Sequence, residues 1–234
     1  MLVLRDLGKR YGGKPALRGL NLNVEPGQLC VILGPNGAGK STLLRLICTL
    51  SRPSSGDAVI GGHSVLDNPV EVRKLVGVAL HETLLYEDLT AAENLTFYSH
   101  LLGVPSEESV IDEMLSRFGL LHRRNDRVGT FSRGMKQRLS IARAMLGSPK
   151  VLLLDEPFSG LDIKARGQVS SLLTQAIADG ATVLLTAHDP ELGYDLGHRL
   201  LVLVDGALVY DKEKTAVSRG DFVEEYKKMV GATK

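Results

Sequence analysis

The sequence carries almost no net charge. Its 28 basic and 27 acidic residues leave a formal charge of +1 over 234 residues. The chain therefore lacks the broad positive field that carries sequence-independent binding to nucleic acid, and we expect no nucleic-acid partner. An acidic ligand must be held by a local group of residues. The hydrophobic fraction of 44% and the charged fraction of 24% are those of an ordinary globular chain, which argues against disorder.

The sequence also lacks a long apolar run. Stretches such as Val151–Leu154 are a few residues long, far short of the roughly 20 residues that a helix needs to cross a bilayer. The N-terminus has Asp6 where a secretory signal would carry a basic region and then an apolar run. We therefore expect a chain that does not itself span a membrane and that stays in the cytoplasm.

Cysteine is scarce. The two cysteines, Cys30 and Cys48, lie in apolar surroundings, and neither has a second Cys or a His at metal-ligand spacing. This pattern predicts buried free thiols in a reducing compartment. It excludes a small fold held together by disulfide bonds.

Short apolar runs alternate with helical patterns along most of the chain. Residues 2–7 and 20–24 alternate between apolar and polar, which predicts an opening region of half-exposed strands. Continuous apolar runs at 29–33, 151–154, 183–185 and 200–204 predict buried strands. Helical patterns between them indicate an α/β fold, in which a mostly parallel sheet is covered on both faces.

A helical region lies in the middle of the chain, from about residue 84 to 147. One of its helices is predicted to begin at Pro105 or Ser106 and to end at Gly119. The sequence contains no internal repeat, low-complexity segment or linker. We therefore expect residues 1–234 to form one domain, with an antiparallel β subdomain at its start and a helical subdomain in its middle.

Residues 34–41 match the phosphate-binding pattern G-x-x-x-x-G-K-[ST] between a predicted strand and a predicted helix. The glycines let backbone N–H groups turn toward a phosphate, and the helix N-terminus adds partial positive charge. Lys40 is expected to reach the β and γ oxygens, and the Ser41 hydroxyl can ligate Mg²⁺. The candidate nucleotide-binding residues of this loop are Gly34, Pro35, Asn36, Gly37, Ala38, Gly39, Lys40, Ser41 and Thr42.

The buried strand at 151–154 ends in two acidic residues, Asp155 and Glu156. Adjacent residues at a strand end can project to different sides of a site. Asp155 can therefore hold Mg²⁺ while Glu156 faces the attacking water as general base. With the phosphate loop upstream, this pair completes the expected core of a P-loop nucleotide hydrolase with a RecA-like sheet.

Residues 131–138, Phe-Ser-Arg-Gly-Met-Lys-Gln-Arg, begin a predicted helix and resemble the signature of the ABC ATPase family, usually written L-S-G-G-Q. About residues 1–210 share the family's pattern. The other matching elements are an aromatic near the start (Tyr11), a segment at the Q-loop place (His81), a D-loop ending in Asp162 and a lone histidine after a strand (His188).

The resemblance implies a role for each of these residues. Tyr11 would stack on adenine, and His188 would polarise the γ-phosphate as a catalytic residue beside Glu156 and Lys40. Ser132 and Gly134 would contact ATP bound by a second subunit. The simpler alternatives are a strand-end tyrosine, a strand-end histidine and an ordinary Ser N-cap. The implied cofactors are ATP and Mg²⁺, and the implied assembly is a head-to-tail homodimer or a pair with a paralogue.

The sequence departs from the family at three places. Arg133 and Met135 stand where the signature usually has Gly and Gln, so a guanidinium is added and an amide is removed. His81 stands where most members have the Q-loop Gln. Its part in metal coordination or water positioning is therefore open.

Within the family, residues 81–98, Asp126–Val128 and the signature resemble the ATPase subunits of the cytochrome c maturation system, CcmA. This resemblance implies membrane partners like CcmB and CcmC, a peripheral place on the cytoplasmic face of the inner membrane, and release of a haem-loaded chaperone. The chain itself has no C-x-x-C-H haem motif, and four of its histidines are scattered singly: His63, His100, His122 and His198. The alternatives are an ABC exporter of drugs, lipids or polysaccharide, and a P-loop kinase or nucleotide switch that acts alone.

Overall fold

The computed structural model of the chain describes residues 1–231. Its strands are β1 (Leu2–Tyr11), β2 (Lys14–Val24), β3 (Leu29–Leu33), β4 (Ser55–Ile60), β5 (His63–Ser64), β6 (Val76–Ala79), β7 (Val151–Leu154), β8 (Thr182–Thr186), β9 (Arg199–Val204) and β10 (Ala207–Glu213). Its helices are α1 (Lys40–Ile47), α2 (Pro69–Leu75), α3 (Ala91–Leu102), α4 (Glu108–Arg117), α5 (Arg133–Ala144), α6 (Ile163–Ala178), α7 (Pro190–Leu196) and α8 (Arg219–Gly231).

The strands form two sheets. The first is antiparallel, with the order β2-β1-β4-β5. The second has the order β10-β9-β3-β8-β7-β6, and all its neighbours are parallel except β10 with β9. This confirms the predicted α/β fold with a mostly parallel sheet and an antiparallel β region at the start.

The parallel sheet separates two hydrophobic cores, because successive side chains of a strand point to opposite faces. In β3, Val31 and Leu33 belong to the core that contains α3 to α6, whereas Cys30 and Ile32 belong to the core beneath the antiparallel sheet and α1. Both faces of the strand are fully buried. This explains why β3 reads as a continuous apolar run.

Local sequence signals fix where the middle helices begin. A capping box starts α3: the Thr90 hydroxyl accepts a hydrogen bond from the Glu93 N–H, and the Glu93 carboxylate accepts one from the Thr90 N–H. Helix α4 begins at Glu108, later than Pro105 or Ser106, so the predicted start was wrong. The N–H groups of Val110 and Ile111 both donate to the Glu107 carbonyl, which makes Glu107 the N-cap.

The sheet topology places the candidate site. Parallel strands have their carboxyl ends at the same edge, and ligands of open α/β sheets bind outside that edge. The segments that follow β3, β6, β7 and β8 there carry the phosphate loop, His81, the Asp155–Glu156 pair and His188.

Candidate functional site

The phosphate loop between β3 and α1 requires glycine at two places. Gly34 has φ +147°, and a Cβ there would lie 2.1 Å from the Leu203 carbonyl oxygen. Gly39 has φ +105°, and a Cβ would lie 2.6 Å from the Ala16 carbonyl oxygen. Gly39 is also the N-cap of α1 and makes no side-chain cap, so first-turn N–H groups of the helix are available to an anion.

Lys40 is held inside this loop. Its ammonium donates hydrogen bonds to the carbonyl oxygens of Gly34 at 2.6 Å and Pro35 at 3.0 Å, and the residue is only 6% exposed. Burial lowers the pKa of Lys40 from its ordinary value, while the nearby carboxylates of Glu156 and Asp155 oppose that shift. A buried cation beside two carboxylates is suited to receive the negative charge of a phosphate.

Asp155 and Glu156 follow β7 and are both tied to Thr186 at the end of β8. The Thr186 hydroxyl donates to Asp155 Oδ1 at 2.6 Å and accepts from the Glu156 N–H at 2.9 Å. Asp155 is 6% exposed. Its carboxylate is therefore fixed at the floor of the site.

Glu156 has a left-handed backbone, with φ +51°, which is costly for a residue with a side chain. Its carboxylate accepts a hydrogen bond of 2.5 Å from His188 Nε2, and both side chains remain partly exposed. His188 lies between β8 and α7. The Glu156 carboxylate and the His188 imidazole therefore lie together, partly exposed to solvent, at the carboxyl edge of the sheet.

A cleft of about 330 Å³ opens over these carboxylates. Its lining combines three cationic or ionisable side chains from the signature and Q-loop segments with the acidic pair. The lining residues are His81, Thr83, Phe131, Arg133, Lys136, Gln137, Asp155, Glu156 and Ser159.

The signature segment forms the start of α5. Ser132 is exposed and is the N-cap: its hydroxyl accepts a hydrogen bond from the Met135 N–H at 3.2 Å. A Cβ on Gly134 would lie 3.0 Å from the Gly160 carbonyl oxygen, and Arg133 donates to the Ser159 hydroxyl at 3.4 Å. The helix start therefore packs against the segment that follows Glu156 in the same chain.

Tyr11 and Asp162 are two further residues that the sequence assigns to the site. Tyr11 ends β1 and is 50% exposed as a residue, and the Lys9 ammonium lies 5.0 Å from its ring centroid. Asp162 is the N-cap of α6, where its carboxylate accepts a hydrogen bond from the Ala165 N–H at 2.8 Å. The ring of Tyr11 is exposed, and its stacking on adenine stays a prediction.

Sequence reasoning missed two supporting residues. Thr186 is a polar side chain at the end of a strand that is otherwise apolar after Thr182, and this break in the run was the available signal. Tyr226 of α8 is the second: burial raises the pKa of its phenol, and the neighbouring Gly34 backbone opposes that rise. Nothing in the spacing of α8 points to the phosphate loop, because the contact is made through tertiary packing.

The donor set fits Mg²⁺. The Ser41 hydroxyl and the Asp155 carboxylate offer oxygen ligands, which this ion prefers, and Asp155 is fixed in place by Thr186. Within residues 1–231, no three His, Cys, Asp or Glu side chains form a metal site by themselves. An ion held by these two residues would complete its coordination with water or phosphate oxygens. The site and the fold together define a P-loop nucleotide hydrolase.

Comparisons with known proteins narrow this class. The profile of the ABC transporter family matches residues 17–159. The chain is 36% identical over 217 residues to the ABC transporter ATP-binding protein NatA of Bacillus subtilis, covering 90% of this chain and 88% of that one. It is 37% identical over 221 residues to the daunorubicin resistance ATP-binding protein DrrA3 of Streptomyces coeruleorubidus, covering 92% and 70%.

Two further similarities concern a longer protein and a solved structure. Human phospholipid-transporting ATPase ABCA3 is 38% identical over 213 residues, which are 88% of this chain but 12% of ABCA3. The dimeric post-hydrolysis structure of the ATP-binding cassette MJ0796 with ADP and Pi superposes with a TM-score of 0.84 at 30% identity, over 92% of this chain and 99% of that one. The chain belongs to the ABC transporter family, as an ATP-binding subunit, and it is an ATPase that binds ATP.

These comparisons confirm the general resemblance and do not support the narrower one. Two of these relatives are named for daunorubicin resistance and for phospholipid transport, and the third is named only as an ABC transporter ATP-binding protein. None of the three is named as a cytochrome c maturation protein. The exporter alternative is therefore better supported than haem export or partners like CcmB and CcmC. No helix within residues 1–231 is long and apolar enough to cross a membrane.

Proposed function

We propose that the chain is the ATP-hydrolysing subunit of an ABC exporter that moves a drug-like or lipid-like amphiphile. The observation that carries this proposal is the 37% identity, over 92% of the chain, to a daunorubicin resistance ATP-binding protein. The likeness to a phospholipid-transporting ATPase supports the same class of cargo. The residues of the site would hydrolyse ATP, and a separate membrane subunit would move the cargo.

In the proposed mechanism, the phosphate loop holds the β- and γ-phosphates of ATP. Lys40 leaves the carbonyls of Gly34 and Pro35 and binds phosphate oxygens, which offer a stronger charge-assisted hydrogen bond. Mg²⁺, bound by Ser41 and Asp155, would neutralise phosphate charge. Glu156 accepts a proton from the attacking water, and His188 holds its carboxylate in position through their hydrogen bond.

We further propose that two chains pair head to tail. Ser132 is exposed at the N-terminus of α5, where a helix end attracts an anion. In the pair, Ser132 and Gly134 of one chain close over the γ-phosphate bound by the other. The dimeric state of the MJ0796 cassette supports this arrangement.

The membrane partner is proposed to dock in a groove of about 330 Å³ between α3 and the sheet core. Its lining includes exposed apolar side chains: Leu50, Leu84, Leu101 and Leu102. Segment 81–84 lines this groove through Leu84 and the catalytic cleft through His81 and Thr83. A cytoplasmic segment of the membrane subunit seated here would therefore touch the strand ends that carry the site.

Docking is tested with one apolar residue and a matched control. Leu101→Glu places a charge in the groove at a residue that is 70% exposed, so folding is expected to survive. The variant should lose co-purification with the membrane subunit and keep ATP binding. Leu121→Glu, at an exposed leucine outside the groove, should keep both. Equal retention by both variants would contradict the proposed surface.

Cargo is tested with the assembled transporter. The tagged chain is purified with its membrane subunit, reconstituted into phospholipid vesicles, and assayed for ATP hydrolysis with daunorubicin, added phospholipid or haem. We expect stimulation by the drug or the phospholipid and none by haem. Stimulation by haem, or by a haem-chaperone protein, would favour the cytochrome c maturation candidate, whose support is the sequence of residues 81–98.

A further inference from the structure

A cavity of about 600 Å³ lies at the edge of the parallel sheet opposite to the phosphate loop. Its lining includes Lys150, which precedes β7, and Ala181, which precedes β8. Asp155 follows the other end of β7, so the strand separates the backbones of Lys150 and Asp155 by about 16 Å. The cavity is therefore distinct from the cleft that the proposed hydrolysis uses.

The wall of this cavity is mainly apolar and comes from both subdomains. Helix α4 of the helical region contributes Val110 and Met114, and the segment after α5 contributes Met145. Leu152 of β7 and Ala176 of α6 form the opposite side. Pockets of this volume with apolar walls and a few polar groups are typical sites for small molecules.

Two cationic side chains line the mouth of the cavity. Arg117 ends α4 and Lys150 precedes β7, and both residues are exposed. Within residues 1–231, neither side chain makes a hydrogen bond or an ion pair. The acid in the lining, Asp179, already accepts a hydrogen bond from the Gln175 amide at 2.9 Å. The mouth therefore offers positive charge beside an apolar wall.

We propose that this cavity binds an amphiphile with one alkyl chain and a carboxylate head group, such as a fatty acid. The chain lies between α4, β7 and α6, where removal of apolar surface from water drives binding. The carboxylate lies at the mouth, beside Arg117 and Lys150. Because both cations are exposed, they select the sign of the head group and add little to the affinity. This site is separate from the proposed cargo, which the membrane subunit is expected to select.

The ligand class is tested with the isolated chain and two probes of equal chain length. Dodecanoate and dodecyltrimethylammonium are titrated calorimetrically, each below the concentration at which it forms micelles. Wild type is expected to bind dodecanoate at least about tenfold more tightly. The non-hydrolysable analogue AMP-PNP should still bind to the chain saturated with dodecanoate, because the two sites lie at opposite edges of the sheet.

The place of binding is tested with two exposed valines, each in the first turn of a helix. Val110 of α4 lines the cavity, and Val70 of α2 does not. A glutamate is favourable in a first helical turn, so both variants are expected to fold. Val110→Glu should weaken dodecanoate binding at least about tenfold, because its carboxylate repels that of the ligand. Val70→Glu should bind dodecanoate as wild type does.

Charge selection is tested by removing both cations at the mouth. Arg117→Ala combined with Lys150→Ala should bring the affinities for the two probes to within about threefold of each other. The control combines Arg18→Ala with Lys227→Ala, which removes an exposed arginine and an exposed lysine outside the cavity. This control should keep the wild-type preference for dodecanoate.

The proposal is overturned if wild type binds the two probes equally, or if AMP-PNP and dodecanoate exclude each other. Equal losses of dodecanoate affinity in Val110→Glu and Val70→Glu would also contradict it. The cavity shares Val104 and Leu146 with the proposed docking groove. Failure of wild type to bind dodecanoate, together with lost co-purification of the membrane subunit in Val110→Glu, would therefore assign the cavity to that subunit instead.

Discussion

The hydroxyl of Thr186 donates a hydrogen bond of 2.6 Å to Oδ1 of Asp155 across two neighbouring strands. The same hydroxyl oxygen accepts from the Glu156 N–H at 2.9 Å, and Thr186 is 1% exposed. One buried hydroxyl therefore orients a carboxylate proposed to bind metal and the backbone of the proposed general base. The effect of the Thr186 hydroxyl on hydrolysis can therefore be measured by substituting Thr186 alone, with Asp155 and Glu156 unchanged.

Thr186→Val is expected to destabilise the fold and slow hydrolysis. Valine keeps the shape but leaves the Asp155 carboxylate and the Glu156 N–H without this partner, which costs about 1–3 kcal/mol. Urea unfolding should report this loss, and kcat should fall by more than tenfold. Thr186→Ser retains the hydroxyl and should recover most of both quantities. Equal kcat in the valine variant and wild type would contradict the positioning role.

Glu156→Gln is expected to bind ATP and scarcely hydrolyse it. The amide keeps the size of the side chain and removes the base that accepts the water proton. ATP should then accumulate in a stable dimer, measured by sedimentation with and without nucleotide. Turnover at the wild-type rate would exclude Glu156 as general base.

Lys40→Ala is expected to weaken nucleotide binding itself. The change deletes a buried ammonium that lies between the loop carbonyls and two carboxylates. Affinity for ATP should fall by at least about tenfold, or about 1.4 kcal/mol, in equilibrium titration. Lys150→Ala, at an exposed lysine outside the catalytic cleft, is the control and should bind as wild type does. Unchanged affinity in Lys40→Ala would refute the assigned role of the lysine.

The two cysteines are expected to be inert in the folded protein. Burial raises the pKa of Cys30 to about 12 and that of Cys48 to about 11, so the reactive thiolate is scarce at pH 8. A thiol reagent such as DTNB should therefore label neither residue in the native state and both after unfolding. Rapid labelling of the native chain would show that one of these strands or helices opens readily.

The sequence predicts most elements because their signals are local. Continuous apolar runs mark β3, β7, β8 and β9, since both faces of these strands are buried. The contacts of Thr186 with Asp155 and of Tyr226 with Gly34 join residues far apart in sequence. No spacing rule indicates them, because they depend on how the strands and helices pack.

The cargo could not be predicted from residues 81–98 for a physical reason. Thr90 and Glu93 form the capping box of α3, and the buried Asn94 side chain bonds the Tyr86 N–H and carbonyl. These residue types are thus explained by how a helix begins and how the loop before it is fixed. Such a segment carries information on local folding, whereas cargo is expected to be selected by the membrane subunit.

Gly134 and Ser132 are both proposed to contact ATP bound by the other chain, but they are not equally suited to substitution. A Cβ at Gly134 would lie 3.0 Å from the Gly160 carbonyl oxygen, so substitution there disturbs the chain's own packing. Ser132 is exposed and caps α5 through its hydroxyl. An aspartate can replace that cap while adding a negative charge. Ser132→Asp therefore changes the charge at the signature and preserves the helix.

Ser132→Asp should bind ATP nearly as wild type does, yet fail to dimerise with ATP and lose hydrolysis. The added carboxylate repels the γ-phosphate offered by the other chain. Mixing it with Lys40→Ala supplies the decisive control. The phosphate loop of the Ser132→Asp chain then meets the intact signature of the Lys40→Ala chain, so one composite site is whole. ATP-dependent pairing should partly recover, and a mixture that pairs no better than either variant alone would contradict sharing of the site between chains.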